Sequence, residues 1–118
     1  MTDTGTPRTQ AIAEIQEAAS AAATPEVIVL PTLGDAARRA CQDTVRILSA
    51  AVTERGVAHL ALTGGSGGMA LSEALAPLIA AQPEAVRRAI HLWFGDERFV
   101  PAGDPERNDL LATPLIAA

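Results

Sequence analysis

The stretch "VAHLALTGGSGGMAL", Val57 to Leu71, decides the fold. It opens with a short apolar run, passes through four glycines in six residues, and continues directly into a new apolar pattern. A short apolar run closed by glycine reads as a strand covered on both faces, and glycine between a strand and a helix reads as the turn of a parallel β-α unit. The helix beyond it, "GGMALSEALAPLIAAQ", is expected to kink or break at Pro77.

Outward from this unit the same alternation continues. "PEAVRRAI" supplies a short turn of helix before a further strand, "HLWFG", which carries the chain's only Trp, Trp93. Asp96, Glu97 and Arg98 follow side by side, then a polar loop "PAGDPERND" and a last helical piece, "DLLATPLIAA", interrupted by Pro114. On the N-terminal side, "TLGDAARRACQDTVRILSAAVTERG" begins with Thr32 three residues before Asp35, a capping-box-like start, and closes on Gly56. Leu33, Ala37, Ala40, Cys41, Thr44, Ile47, Leu48, Ala51 and Val52 follow the helical period as one stripe. Before it, "EVIVLPT" holds an uninterrupted apolar run from Val27 to Leu30 and predicts another buried strand. Residues 1–24 have only Ile12 and Ile15 as sizeable apolar anchors and read as a tail or frayed helix, leaving 25–118 as the structured part.

The order β-α-β-α-β-(α), with crossovers too long for hairpins, implies a Rossmann-like α/β layer: a parallel sheet with flanking helices. In such sheets ligands bind beyond the carboxyl ends of the strands. Both unusual stretches, the glycine turn and the charged triplet, follow strands, so one site can draw on both.

Composition narrows the chemistry. At 118 residues, 48% hydrophobic but 3% aromatic, the chain holds one aliphatic core. The net charge is −5 and all nine basic residues are Arg, which argues against a nucleic-acid footprint and removes Schiff-base or P-loop lysine chemistry. The single Cys41 allows no intrachain disulfide or cysteine-based zinc cluster, and its apolar neighbours suit an inert core thiol. No window suggests a membrane span and the start does not read as a secretory signal, so a cytoplasmic protein is expected.

The loop Thr63 to Gly68 brings unpaired helix N–H groups to a place where no Cβ keeps a ligand away, an arrangement that binds phosphate; equally, its glycines could serve only a tight turn. Ser66 reads either as a phosphate donor or as a helix N-cap. Gly65, Gly67 and Ala70 form only a degenerate dinucleotide fingerprint. Gly64 to Gly68 matches a hydrolase elbow literally, but no His follows His91 to complete a triad. If strand geometry persists past "HLWF", Asp96 and Arg98 project on one side and Glu97 on the other, giving either an anion-pairing Arg with a supporting Asp or an exposed pair of little energetic consequence. Arg38-Arg39 and Arg87-Arg88 read as solvated helix faces.

Taken together, "LALTGGSGGMAL" and "HLWFGDERFVPAGDPERND" resemble the N-terminal half of the 6-phosphogluconolactonase family, whose pattern joins a Ser/Thr-Gly-Gly-Ser loop to Trp-x-Gly-Asp-Glu-Arg-x-Val-Pro and a later Asn. The resemblance runs from about Val27 to the C-terminus and implies a fold like that of ribose-5-phosphate isomerase and glucosamine-6-phosphate deaminase, here incomplete. It implies hydrolysis of 6-phospho-D-glucono-1,5-lactone in the pentose phosphate route, without metal or organic cofactor. Gly64, Gly65 and Ser66 match the loop that contacts the sugar phosphate, Asp96 and Arg98 the active-site acid and arginine, and Asn108 the loop Asn. Gly67-Gly68 stand where the family often has Thr-Pro. The family's catalytic His belongs to an Asp-Gly-His segment of the second half, which is absent before Ala118, and neither His59 nor His91, both at strand entries, matches it. The expected partner is a sugar phosphate, with self-association through an exposed sheet edge. A non-catalytic sugar-phosphate-binding module, a related isomerase or deaminase, and a nucleotide-binding oxidoreductase are the alternatives.

Overall fold

The computed structural model describes residues 7–21 and 24–118. Helix α1 (Pro7–Ala21) is followed by α2 (Leu33–Arg55), β1 (Ala58–Leu62), α3 (Gly65–Ala80), α4 (Glu84–Arg88) and β2 (Ile90–Phe94). A 3-10 turn (Asn108–Ala112) and α5 (Thr113–Ile116) complete the described chain. Of the tail expected over 1–24, residues 1–6, 22 and 23 lie outside the described residues, Pro7–Ala21 is α1, whose Ile12 and Ile15 remain exposed, and Thr24 belongs to no helix or strand.

Helix α2 begins and ends as its sequence dictates. The Thr32 side chain accepts from the Asp35 N–H at 3.1 Å, and Gly56 takes a left-handed conformation, φ 78°, while its N–H donates to the Val52 carbonyl. Ala37, Cys41, Leu48 and Ala51 are buried, but Leu33, Ala40 and Ile47 are exposed, so the buried stripe is narrower than the periodicity suggests. Cys41 is 1% exposed and its thiol donates to the Leu71 carbonyl at 3.3 Å. Burial pushes that thiol above its ordinary pKa, as expected of an inert core residue.

Strands β1 and β2 pair in parallel, with Ala58 opposite Ile90, His59 opposite His91 and Leu62 opposite Phe94. The core joins Ala58 and Leu62 to Cys41, Leu48 and Ala51 of α2, Leu75 and Ile79 of α3, and Ala112 and Leu115. The opposite face presents His59, Ala61, His91 and Trp93, all exposed. The two strands are therefore covered on one face and not on both, as the apolar run in β1 had suggested. Trp93 Nε1 donates to His59 Nδ1 at 3.0 Å, and the rings of His59 and His91 lie 5.1 Å apart.

The strand expected at Val27–Leu30 does not form. Residues 24–30 belong to no helix or strand, and Val27 and Val29 are 81% and 86% exposed. Apolar patterning gives a segment strand propensity, but a strand exists only by hydrogen bonding to a neighbour, and among the described residues this run finds none. The architecture is thus a partial α/β fold, a two-stranded parallel sheet with helices against one face.

Pro77 does not break α3. It is exposed in the last turn, where the Glu73 carbonyl it leaves without a donor can meet water, and the Ala81 N–H still bonds the Pro77 carbonyl at 3.2 Å. Pro114 falls in the first turn of α5, where a missing N–H costs little. Among the described residues, no helix is long and apolar enough to cross a membrane.

Candidate functional site

The carboxyl ends of the two strands are held together by the Gly95 N–H, which donates to the Leu62 carbonyl at 3.1 Å. Immediately beyond β1 the chain turns at Gly64 into α3, and the glycines there have distinct jobs. Gly65 sits at φ 78°, a conformation that penalises any side chain. A Cβ on Gly68 would overlap the Thr63 carbonyl oxygen, so glycine lets the helix start against the strand end. A Cβ on Gly64 would come within 2.5 Å of Asn108 Oδ1, so glycine here admits the Asn108 side chain. Of the two readings of Ser66, the N-cap is excluded, because that position is Gly64 and Ser66 lies exposed in the first turn. The opening N–H groups of α3 have no side-chain cap.

Beyond β2 the strand geometry stops at Phe94, so the alternation that would set Asp96 beside Arg98 does not carry through. Asp96 pairs instead with Asn108, whose Nδ2 donates to the Asp96 carbonyl at 3.1 Å and to Asp96 Oδ1 at 3.2 Å. Asn108 is 6% exposed, lodged between the glycine turn and Asp96. Arg98 is exposed, and among the described residues nothing bonds or pairs with its guanidinium. Its side chain and Gly65 line an open depression of about 210 Å³, with Asn108, Arg107 and Glu106 also on its walls. The structure thus gathers Gly64, Gly65, Asp96, Arg98 and Asn108 at one end of the sheet.

Glu97, which continued strand alternation would have turned away from Asp96 and Arg98, is the hub of the loop. Its Oε1 accepts the Arg98 N–H at 2.7 Å and the Asn108 N–H at 2.6 Å, and its Oε2 accepts the Asp109 N–H at 3.0 Å. Partial burial pushes the carboxyl up, but the N–H groups of Asn108, Arg98 and Asp109 and the charge of Arg107 outweigh it and leave the pKa below its ordinary value. Arg107 lies 4.0 Å from Glu97 Oε2 and 3.2 Å from Asp109 Oδ1. The second distance marks a charge contact and not an aligned hydrogen bond, since neither Arg107 Nε nor Asp109 Oδ1 has a hydrogen-bond partner among the described residues. Sequence reasoning missed both Glu97 and Arg107. The available signal was the start of the 3-10 turn at Asn108, which has no side-chain cap of its own and needs an acceptor from elsewhere.

His59 and His91 stand second in their strands, on the exposed sheet face and away from the carboxyl ends. A larger cleft of about 390 Å³ opens between the sheet and α3 and α5, lined by Leu60, Ile79, Leu92 and Leu115. Its charged rim is already engaged: Arg88 pairs with Glu84 at 2.7 Å, and Arg87 donates to the Gln82 and Ala118 carbonyls. Arg87 is therefore half-buried and bonded, unlike the solvated role expected of it, whereas Arg38, Arg39 and Arg88 make exposed pairs as expected. Among the described residues, no three His, Cys, Asp or Glu side chains converge as metal ligands would.

Most of the chain is similar to known proteins. The family model described as glucosamine-6-phosphate isomerases/6-phosphogluconolactonase matches residues 31–117. The 6-phosphogluconolactonase of Streptomyces coelicolor is 40% identical over 85 residues, 72% of this chain and 32% of that protein. That of Mycobacterium tuberculosis is 45% identical over 65 residues, 54% of this chain and 25% of that protein. The GDH/6PGL endoplasmic bifunctional protein of Homo sapiens is 48% identical over 58 residues, 49% of this chain and 7% of that protein. The chain therefore spans about a third or less of these relatives. With the match covering most of its length and the glycine turn, Asp96, Arg98 and Asn108 inside it, the chain belongs to the glucosamine-6-phosphate isomerases/6-phosphogluconolactonase family.

Proposed function

We propose that the chain carries the sugar-phosphate half of a 6-phosphogluconolactonase site. The observation that supports this most is Arg98, an unpartnered guanidinium at the mouth of a depression whose other wall is the uncapped start of α3. Free helix N–H groups and a planar cation together suit an anionic sugar phosphate. Gly64, Gly65 and Ser66 approach the ligand, Asn108 joins the turn to Asp96, and Asp96 offers a carboxylate to a sugar hydroxyl or to the reacting water.

The reaction itself is short. Water adds to the carbonyl of 6-phospho-D-glucono-1,5-lactone, the ring C–O ester bond breaks, and the new acid releases one proton to leave 6-phosphogluconate. A base must take a proton from the water as it attacks. His59 and His91 are remote from the site, so this chain alone is expected to lack the rapid turnover that a positioned imidazole supplies. Purified protein hydrolysing the lactone well above the spontaneous rate would contradict that expectation.

Residues 25–118 are the N-terminal part of the lactonase-like domain and 1–24 lie outside it, which the start of the family match at residue 31 supports. The setting is cytoplasmic, which the one buried free thiol suits.

The test is calorimetric titration of the purified chain with 6-phosphogluconate and, separately, with glucosamine 6-phosphate. Saturable binding of 6-phosphogluconate that Arg98→Ala weakens by roughly ten-fold or more supports the reading, since a charge-assisted contact contributes about 1.5–3 kcal/mol. Preference for the amino sugar would transfer the site to the isomerase branch. No binding of either by folded protein would overturn it.

A further inference from the structure

The polar loop after β2 is closed by side chains and not by its own backbone: Asn108 bonds Asp96, and Glu97 spans the loop as well. Its backbone hydrogen bonds are local: the Val100 N–H donates to the Arg98 carbonyl, Asp104 to Pro101, and Arg107 to Asp104. None of these ties the beginning of the loop to its end. Glu97 does, because its carboxylate accepts from the Arg98 N–H beside it and from Asn108 and Asp109, eleven and twelve residues further on. Arg107 reinforces the closure from within, with its guanidinium 4.0 Å from Glu97 and donating to the Val100 carbonyl at 3.4 Å.

Of the three residues whose backbones Glu97 grips, two line the depression, Arg98 with its free guanidinium and Asn108 with its amide against Gly64 and Asp96. Glu97 is not among the residues lining the depression. We propose that Glu97 is a positioning residue of the sugar-phosphate site, closing the 96–109 loop so that Arg98 and Asn108 are presented together to the glycine turn. The inference rests on the sugar-phosphate reading for its ligand, but its geometry stands apart from it. A carboxylate suits the place because three backbone N–H donors reach its two oxygens and the Arg107 cation lies 4.0 Å away. An amide would keep one acceptor and aim an NH₂ at donors on the other side.

The experiment uses the whole chain. In ligand-free wild type, the backbone amides of Arg98, Asn108 and Asp109 are followed by ¹H–¹⁵N NMR as pH falls, with Arg107 and Asp109 as the charged groups facing Glu97. The three amides are expected to move together at one midpoint below the ordinary carboxylate value, and that shared transition to vanish in Glu97→Gln. Binding of 6-phosphogluconate is then compared at one neutral pH for wild type, Glu97→Gln and an exposed control, Glu54→Gln. The account expects roughly ten-fold weaker binding for Glu97→Gln and none of that loss for the control. Unaltered affinity in Glu97→Gln overturns the proposal while leaving the sugar-phosphate reading intact. If wild type binds no sugar phosphate, that reading falls instead, and the amide titration still decides the loop: a shared transition supports the closure by Glu97, and independent behaviour overturns it. The wild-type titration also decides the matter should the variant fail to fold.

Discussion

Gly67 and Gly68 are neighbours in the sequence and opposites in the fold. A methyl group on Gly68 would overlap the Thr63 carbonyl, so Gly68→Ala is expected to destabilise the chain by about 1–3 kcal/mol, as overpacking does. Gly67 has open space around its missing Cβ and no positive φ, so Gly67→Ala should leave stability unchanged or raise it by up to about 1 kcal/mol. Denaturant midpoints of the two variants, equal within error, would contradict this division of labour. The sequence revealed a glycine turn at this place but not which glycine does what, because close approach is a property of the partner atom and not of the glycine. The same holds for Asp96 and Asn108, both part of the motif, whose bond to each other was not legible from it. Glu97 carries a pH prediction as well. Its folded pKa is lowered, so its contribution to stability is complete above the unfolded value near 4.5 and is lost as pH falls through the lower folded value. Urea unfolding of wild type should therefore weaken on acidification more than that of Glu97→Gln, with Asp43, also lowered by Arg46 and Arg39, contributing equally to both.

Helix α2 was legible from end to end because its signals are local: a Thr that accepts from the third residue on, a 3.6-residue period and a glycine in the left-handed region. Thr32→Ala is expected to cost about 1 kcal/mol, read as a lower thermal midpoint, with Thr32→Ser retaining most of the stability. The run Val27–Leu30 failed for the opposite reason. Strand formation depends on a hydrogen-bonding neighbour that no local pattern contains, and the described sheet stops at β1. Of the kink or break expected at Pro77, the break does not occur: exposed in a terminal turn, Pro77 removes one bond that water can replace, and α3 continues past it. The charged loop followed neither helical nor strand periodicity, so Glu97 was assigned a direction by extending β2 past its end at Phe94.

The whole molecule is more open than its length requires. Its radius of gyration is 18.6 Å, against about 13 Å for a compact chain of this size. One sheet face shows Trp93, 57% exposed, beside His59 and His91, and Phe99 and Val29 are also in solvent. Parallel sheets are ordinarily covered on both faces, so this surface is expected to drive concentration-dependent self-association. Sedimentation at increasing concentration should show species above the monomer, and the emission of Trp93, the only Trp, should shift to shorter wavelength as they form. A monodisperse monomer across the range would contradict it. The α/β class was visible in the alternation of elements, whereas the bare sheet face was not, since apolar runs describe strands without saying what lies above them.

The central claim is that the ends of β1 and β2 form a sugar-phosphate half-site in this chain. Its most direct test is a residue-by-residue NMR titration of the isotopically labelled protein with 6-phosphogluconate. The account predicts saturable shifts at the amides of Gly65, Ser66 and Gly67 and at Arg98 and Asn108, with the exposed histidine face unaffected. Saturable shifts confined to the apolar cleft near Leu92 and Leu115, or no shifts in a folded protein, would contradict it.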